Sequence, residues 1–140
     1  MSAEWTTDSL FYRQVNPSWL VEGVPNSVAF GPTPKDEDKL SVDDASLISA
    51  EGSWRHFTET LGLKSVGTWA VAMADVEEAG DLELAASPKL VAEDPAKNNP
   101  AHCDVDFSKI SSKGQRKRRA QHLAIKATAR GCLYTPAIST

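Results

Sequence analysis

Residues 65–73, "SVGTWAVAM", carry no charge in a chain where 24% of residues are charged. The run is too short for a self-sufficient helix and matches a strand buried on both faces. A strand of that kind needs neighbours on its edges and cover on its faces. The run is therefore read as the central strand of a sheet, and the rest of the chain must supply the other strands and the helices that cover them.

The flanking segments supply strand material. "LFYRQV" at 10–15 is aromatic and β-branched, and Asn16-Pro17 ends it. "SVAF" at 27–30 and "KLSV" at 39–42 read as two further short strands, separated by the charged, proline-bearing surface loop "GPTPKDEDK". "HCDVDFS" at 102–108 alternates, with Cys103, Val105 and Phe107 on one face and His102, Asp104 and Asp106 on the other. "CLYTPAI" adds a short terminal strand.

Two helices stand out. "SAEGSWRHFTETLG" has Ser49 as N-cap and Gly62 as stop. Its residues Ala50, Trp54, Phe57 and Leu61 fall at helical spacing, which predicts that Trp54, Phe57 and Leu61 are its buried stripe. Asp75 with Glu78 reads as a capping box for a single turn that ends at Gly80. Residues 85–101 contain three prolines and little pattern, and form a long loop.

The second main helix covers about 112–130. Ser112 and Gln115 match a capping box, and Gly131 stands where a C′ glycine belongs. Ala120, Leu123, Ala124 and Ala127 share its packing face. Arg119, Lys126 and Arg130 gather on one flank, while Lys113, Arg116, Lys117, Arg118 and Arg119 crowd the first turns, where the helix dipole already disfavours cations. The charge of the chain is divided accordingly. Residues 1–107 hold all nineteen acids against seven Lys or Arg, and residues 108–140 hold eight Lys or Arg and no acid. Such asymmetry fits an acidic partner, a polyanion, or packing of the basic helix on its own acidic body.

Other features exclude function classes. No window reaches the ~18 apolar residues of a membrane helix. The first residues lack the basic and apolar layout of a secretory signal. Cys103 and Cys132 are too few for a disulfide framework, so a cytoplasmic setting with free thiols is expected. There is no G-x-S-x-G, no P-loop and no G-x-G-x-x-G. His102, Asp104 and Asp106 project from one strand face and can face a divalent ion or make a carboxylate pair. No second ligand cluster backs them, and a solvated strand face produces the same pattern, so no metal site is expected.

The order "FYRQVNPSWL", "PTPKDEDKLSV", "GLKSVGTWAV", "HCDVDFS", "ARGCLY" resembles a group of short bacterial proteins of unassigned function, from about residue 11 to 134. The resemblance implies a bacterial intracellular setting and carries no catalytic residues. The chain is more distantly similar to ADP-ribosyltransferase-like folds, where an early strand presents an Arg to the dinucleotide and a later one a Ser or Thr. That similarity implies Arg13 and Ser41 in those roles. Asp104 or Asp106 would replace a late-strand Glu that this chain lacks.

The expectation is a single α/β (α+β) domain over 1–140: a mixed sheet of about five short strands with two main helices. Its expected function is that of an accessory module without cofactor or membrane, which recognises a protein partner through Arg116, Arg119, Lys126 and Arg130. The alternative is a small NAD-using, ADP-ribosyltransferase-like enzyme built on Arg13, Ser41, His102, Asp104 and Asp106. A nucleic-acid-binding accessory protein is the third reading.

Overall fold

The computed structural model describes residues 5–32 and 38–136. In chain order the elements are β1 (Leu10–Gln14), the short pair β2 (Leu20–Val21) and β3 (Val24–Pro25), β4 (Lys39–Asp44), α1 (Ala50–Arg55), β5 (Thr68–Ala72), α2 (Met73–Ala79), β6 (Glu83–Ala86), β7 (His102–Asp106) and α3 (Lys113–Arg130). Five strands make one sheet in the order β5-β1-β4-β7-β6, and β2 with β3 makes a separate hairpin. The expected α+β domain with a five-stranded sheet is what forms. All of its ladders are antiparallel, where a mixture of directions was expected.

Register sorts the sheet into two unlike faces. Phe11 stands opposite Val71 on β5 and Asp44 on β4, and Val42 stands opposite Cys103, with Leu40 opposite Val105. This face is the core. It is closed by Ala120, Leu123, Ala124 and Ala127 of α3, the packing face read from the sequence, together with Phe30, Phe107 and Val76. The other face carries Tyr12 opposite Asp43, Asp43 opposite His102, and Ser41 opposite Asp104. It is polar, and α1 packs over its β1 and β5 end.

Several elements differ from the sequence reading. "SVAF" is a turn of 3-10 helix, not a strand, because Asn26 Oδ1 accepts the Val28 N–H at 2.8 Å and closes the chain on itself. The apolar run of β5 is buried at every residue yet lies at the end of the sheet, not its centre. Its outer edge is met by the chain after α3: Leu133 N–H donates to the Thr68 carbonyl and Thr68 N–H to that of Tyr134. That single bridge stands where a final strand was expected, whose last residues lie outside those described. The approach is close enough that a Cβ on Gly67 would sit 2.7 Å from the Tyr134 carbonyl oxygen and 2.8 Å from Cys132 Sγ. β6 was not foreseen, being a short edge strand in which three of the four residues are exposed. The loop expected at 31–39 falls largely outside the described residues.

The helix caps also differ in detail. α1 starts as expected, with Ser49 Oγ accepting the Gly52 N–H, but it passes into a π-helical turn at His56–Thr60. Its fully buried residue is Ser53, while Trp54 and Phe57 are half-buried and Leu61 is 40% exposed. The predicted stripe fails because α1 covers the polar face, so a hydroxyl is what points into the sheet. In α2, Asp75 caps from inside the first turn by accepting the Ala72 N–H at 2.8 Å, and not from the N-cap position itself.

Candidate functional site: a cavity on the polar face of the sheet

The floor of the site grows out of a buried glutamine. Gln14 ends β1 beneath α1, and its Nε2 donates to Ser53 Oγ (3.0 Å) and Thr68 Oγ1 (2.9 Å), while its Oε1 accepts from Ser65 Oγ (2.8 Å). Ser53 Oγ donates onward to Asp43 Oδ2 at 2.7 Å, and Asn99 Nδ2 donates to Asp43 Oδ1 at 2.8 Å. The half-buried Asp43 carboxylate thus accepts from a donor at each of its oxygens. The chain of bonds ties β1, β4, β5, α1 and the loop before β7 into one rigid polar floor.

Above this floor opens a cavity of about 600 Å³. Tyr12, Ser41, Asp43 and His102 line its strand side, and Phe57, Leu61 and Leu63 its α1 side. Phe57 and Leu61, assigned to the core from the α1 pattern, thus form part of a wall of the cavity, whereas Trp54 is not among its described lining. Residues 87–101 close the opposite side. That loop is built, not slack: Lys89 and Asn99 exchange backbone bonds of 2.9 and 2.8 Å, and Asn98 Oδ1 accepts the Val91 N–H at 2.7 Å. It thereby delivers Lys89, Val91, Lys97 and Asn99 to the lining.

His102 is the most unusual group in this wall. It is 6% exposed, and its Nδ1 lies 2.7 Å from the Ser87 carbonyl oxygen, which can only accept. Nδ1 therefore carries the proton, and Nε2 is left buried without a hydrogen-bond partner among the described residues, 3.8 Å from Asp104 Oδ1. Tyr12 contributes a phenol whose pKa burial pushes up, against the pull of the Ala50 backbone.

The electrostatics run against the body of the protein. Among the described lining residues Asp43 is the one acid, beside four cations, Arg13, Lys64, Lys89 and Lys97. Lys97 reaches Asp94 only at 4.0 Å, and neither Lys64 nor Lys89 makes an ion pair among the described residues.

The residues singled out from the sequence divide here. Arg13, Ser41 and His102 come together on the cavity, whereas Asp104 and Asp106 are not among its described lining. Arg13 stands on the core face where β1 and β4 part company. Its Nε donates to the Ala29 carbonyl (2.7 Å) and its Nη1 to that of Ser41 (3.1 Å), with the guanidinium 5.2 Å from the Trp19 ring centre. Asp106 Oδ1 accepts the Ser108 N–H, which chiefly holds its carboxyl below the usual range, helped by the Ser108 hydroxyl. No group of three or more His, Cys, Asp or Glu among the described residues is placed to hold a metal. Cys103 is buried, and its thiol is pushed up to about 12, first by burial and then by Asp44, Asp43 and Asp104.

The four cations assigned to a partner all meet carboxylates of their own molecule. Arg116 pairs with Asp38 (2.7 Å), Arg119 with Asp81 (3.4 Å), Lys126 with Glu78 (3.5 Å) and Arg130 with Asp75 (3.1 Å). Lys64, Lys89, Lys97, Asn99 and Gln14 were missed from the sequence. One signal was available: the length of the 85–101 loop, which marks a segment with a job. Comparison with family models, curated proteins and solved structures finds no match for the chain. No helix among the described residues is long and apolar enough to cross a membrane.

Proposed function

We propose that this protein is a binding module that takes a small organic anion with an apolar body into the cavity on the polar face of its sheet. The observation that carries the reading is the inverted charge of the lining, four cations to one acid, in the part of the chain (residues 1–107) that holds every Asp and Glu. Cavities of roughly 300–1,000 Å³ with apolar walls and a few convergent polar groups are the usual setting for small ligands. Phe57, Leu61 and Leu63 supply the apolar wall, Lys64 and Lys89 the charge at the rim, and Ser41 and Asn99 the polar groups that orient the guest. Group transfer is not part of the proposal. The guanidinium of Arg13 is engaged by carbonyl oxygens, and its contact with Ser41 is to the backbone.

The test is calorimetric titration with 1-naphthalenesulfonate beside its uncharged counterpart 1-naphthol. The sulfonate is expected to bind, to weaken with added salt, and to lose about tenfold in affinity, or ~1.4 kcal/mol, in Lys64→Glu/Lys89→Glu. Equal binding of the neutral compound, or indifference to the double substitution, would remove the charge from the proposal and with it the proposal.

A further inference from the structure

The two flanks of α3 are in different situations. At about 100° per residue, Arg119, Lys126 and Arg130 share the flank that meets α2 and the residues after it, where Asp81, Glu78 and Asp75 receive them. Roughly 150° round the same helix run Lys117, Arg118, Gln121, Ile125 and Thr128. Lys117 and Arg118 are exposed and make no ion pair among the described residues, and Ile125 is 61% exposed. This open flank is one wall of a groove of about 480 Å³, and Val24 and Pro25 of the β2–β3 hairpin are on the other wall. Val21, paired with Val24 across the hairpin, and Val28 just beyond it are also more than half exposed.

Charge and apolarity are therefore separated along the open flank. Two cations without an ion pair among the described residues stand at its start, in the second turn of the helix, and an uncovered apolar groove follows two turns later. From Lys117 to Thr128 the helix rises roughly 17 Å, the length of a three-turn helix laid alongside it.

We infer that this flank docks an amphipathic helix of a partner protein with acidic residues at one end and apolar residues at the other. The acidic end lies over Lys117 and Arg118, and the apolar end enters the groove between Ile125 and Val24. Helix-in-groove recognition works through apolar anchors at i, i+3, i+4 and i+7. The charges at the far end fix direction and register more than they add affinity. This face is separate from the cavity and does not depend on what the cavity binds.

The experiment is fluorescence anisotropy with a labelled helical peptide of about 15 residues, ~22 Å long. It carries Glu in its first two turns and Leu at helical spacing in its last two. The controls are the same peptide with every Leu replaced by Gln, and a labelled DNA duplex. The Leu-bearing peptide is expected to bind, and both Ile125→Asp and Lys117→Glu/Arg118→Glu are expected to weaken it by about tenfold or more. Lys126→Gln, on the closed flank, is expected to leave it unchanged. All three sites are surface positions, and thermal melts of each variant verify that the fold is kept. Absence of peptide binding overturns the inference, as does equal binding of the Gln control. Tighter binding of DNA, lost with Lys117 and Arg118 but indifferent to Ile125, assigns the flank to nucleic acid instead.

Discussion

A glutamine amide brings two donors and an acceptor oxygen into whatever place buries it, and Gln14 engages all of them within a single sheet face. Leucine fits the same volume but leaves three hydroxyl groups short of a partner. Gln14→Leu is expected to cost about 1–3 kcal/mol, seen as a fall of several degrees in melting temperature. An unchanged melting temperature would mean that water replaces the network freely. The cysteines separate in the same way. Cys132 is exposed and Cys103 buried, so a thiol reagent at neutral pH should count one reactive thiol per native chain and two after unfolding. The raised pKa of Cys103 also has a consequence for stability, and its sign is fixed by linkage. The folded chain holds the thiol proton up to about 12, the unfolded chain only to near 9.0. The stabilising contribution is therefore complete below pH 9 and is lost between about 9 and 12. Melting temperature should fall more steeply over that window in the wild type than in Cys103→Ala. Parallel slopes would contradict it.

Among the elements, α3 is joined to α2 by ion pairs of unequal depth. Arg130 donates to both the Ala70 carbonyl and Asp75, and Asp75 is buried and also caps α2. Removing Arg130 strands a carboxylate in the interior. Arg130→Ala is expected to cost about 1–3 kcal/mol, below the full penalty of a wholly buried pair because the arginine side is partly exposed. Lys126→Ala, which breaks an exposed pair with Glu78, is expected to stay under ~1 kcal/mol. Urea unfolding of the two variants makes the comparison, and equal losses would refute the difference in depth. The same elements show what a sequence reveals. The packing face of α3 could be read because small apolar residues recur at 3.6 spacing against a sheet. The α1 stripe could not, because periodicity reports which residues share a face and not whether that face meets core or cavity. β5 looked central because burial on both faces reads alike in mid-sheet and beneath a covered edge. The cavity was half legible. His102 was singled out by strand alternation, and Arg13 and Ser41 by the resemblance to ADP-ribosyltransferase-like folds, while Lys64, Lys89, Lys97 and Asn99 reach it through loops whose paths no local spacing encodes.

At the scale of the whole molecule, the acidic body and the basic C-terminal segment close on one another along α2 and α3. This explains why a chain so divided in charge is not divided in structure. Among the described residues, cations without an ion pair remain at the cavity rim, Lys64 and Lys89, and on the open flank of α3, Lys117 and Arg118. The first carries the central claim, that a small apolar anion enters the cavity. The most direct measurement is the set of backbone amide chemical shifts during titration with 1-naphthalenesulfonate. Shifts concentrated at Ser41, Phe57, Lys89, Asn99 and His102, saturating together at one ligand per chain, are the predicted result. Shifts confined to α3 and the β2–β3 hairpin, or scattered without saturation, would contradict it.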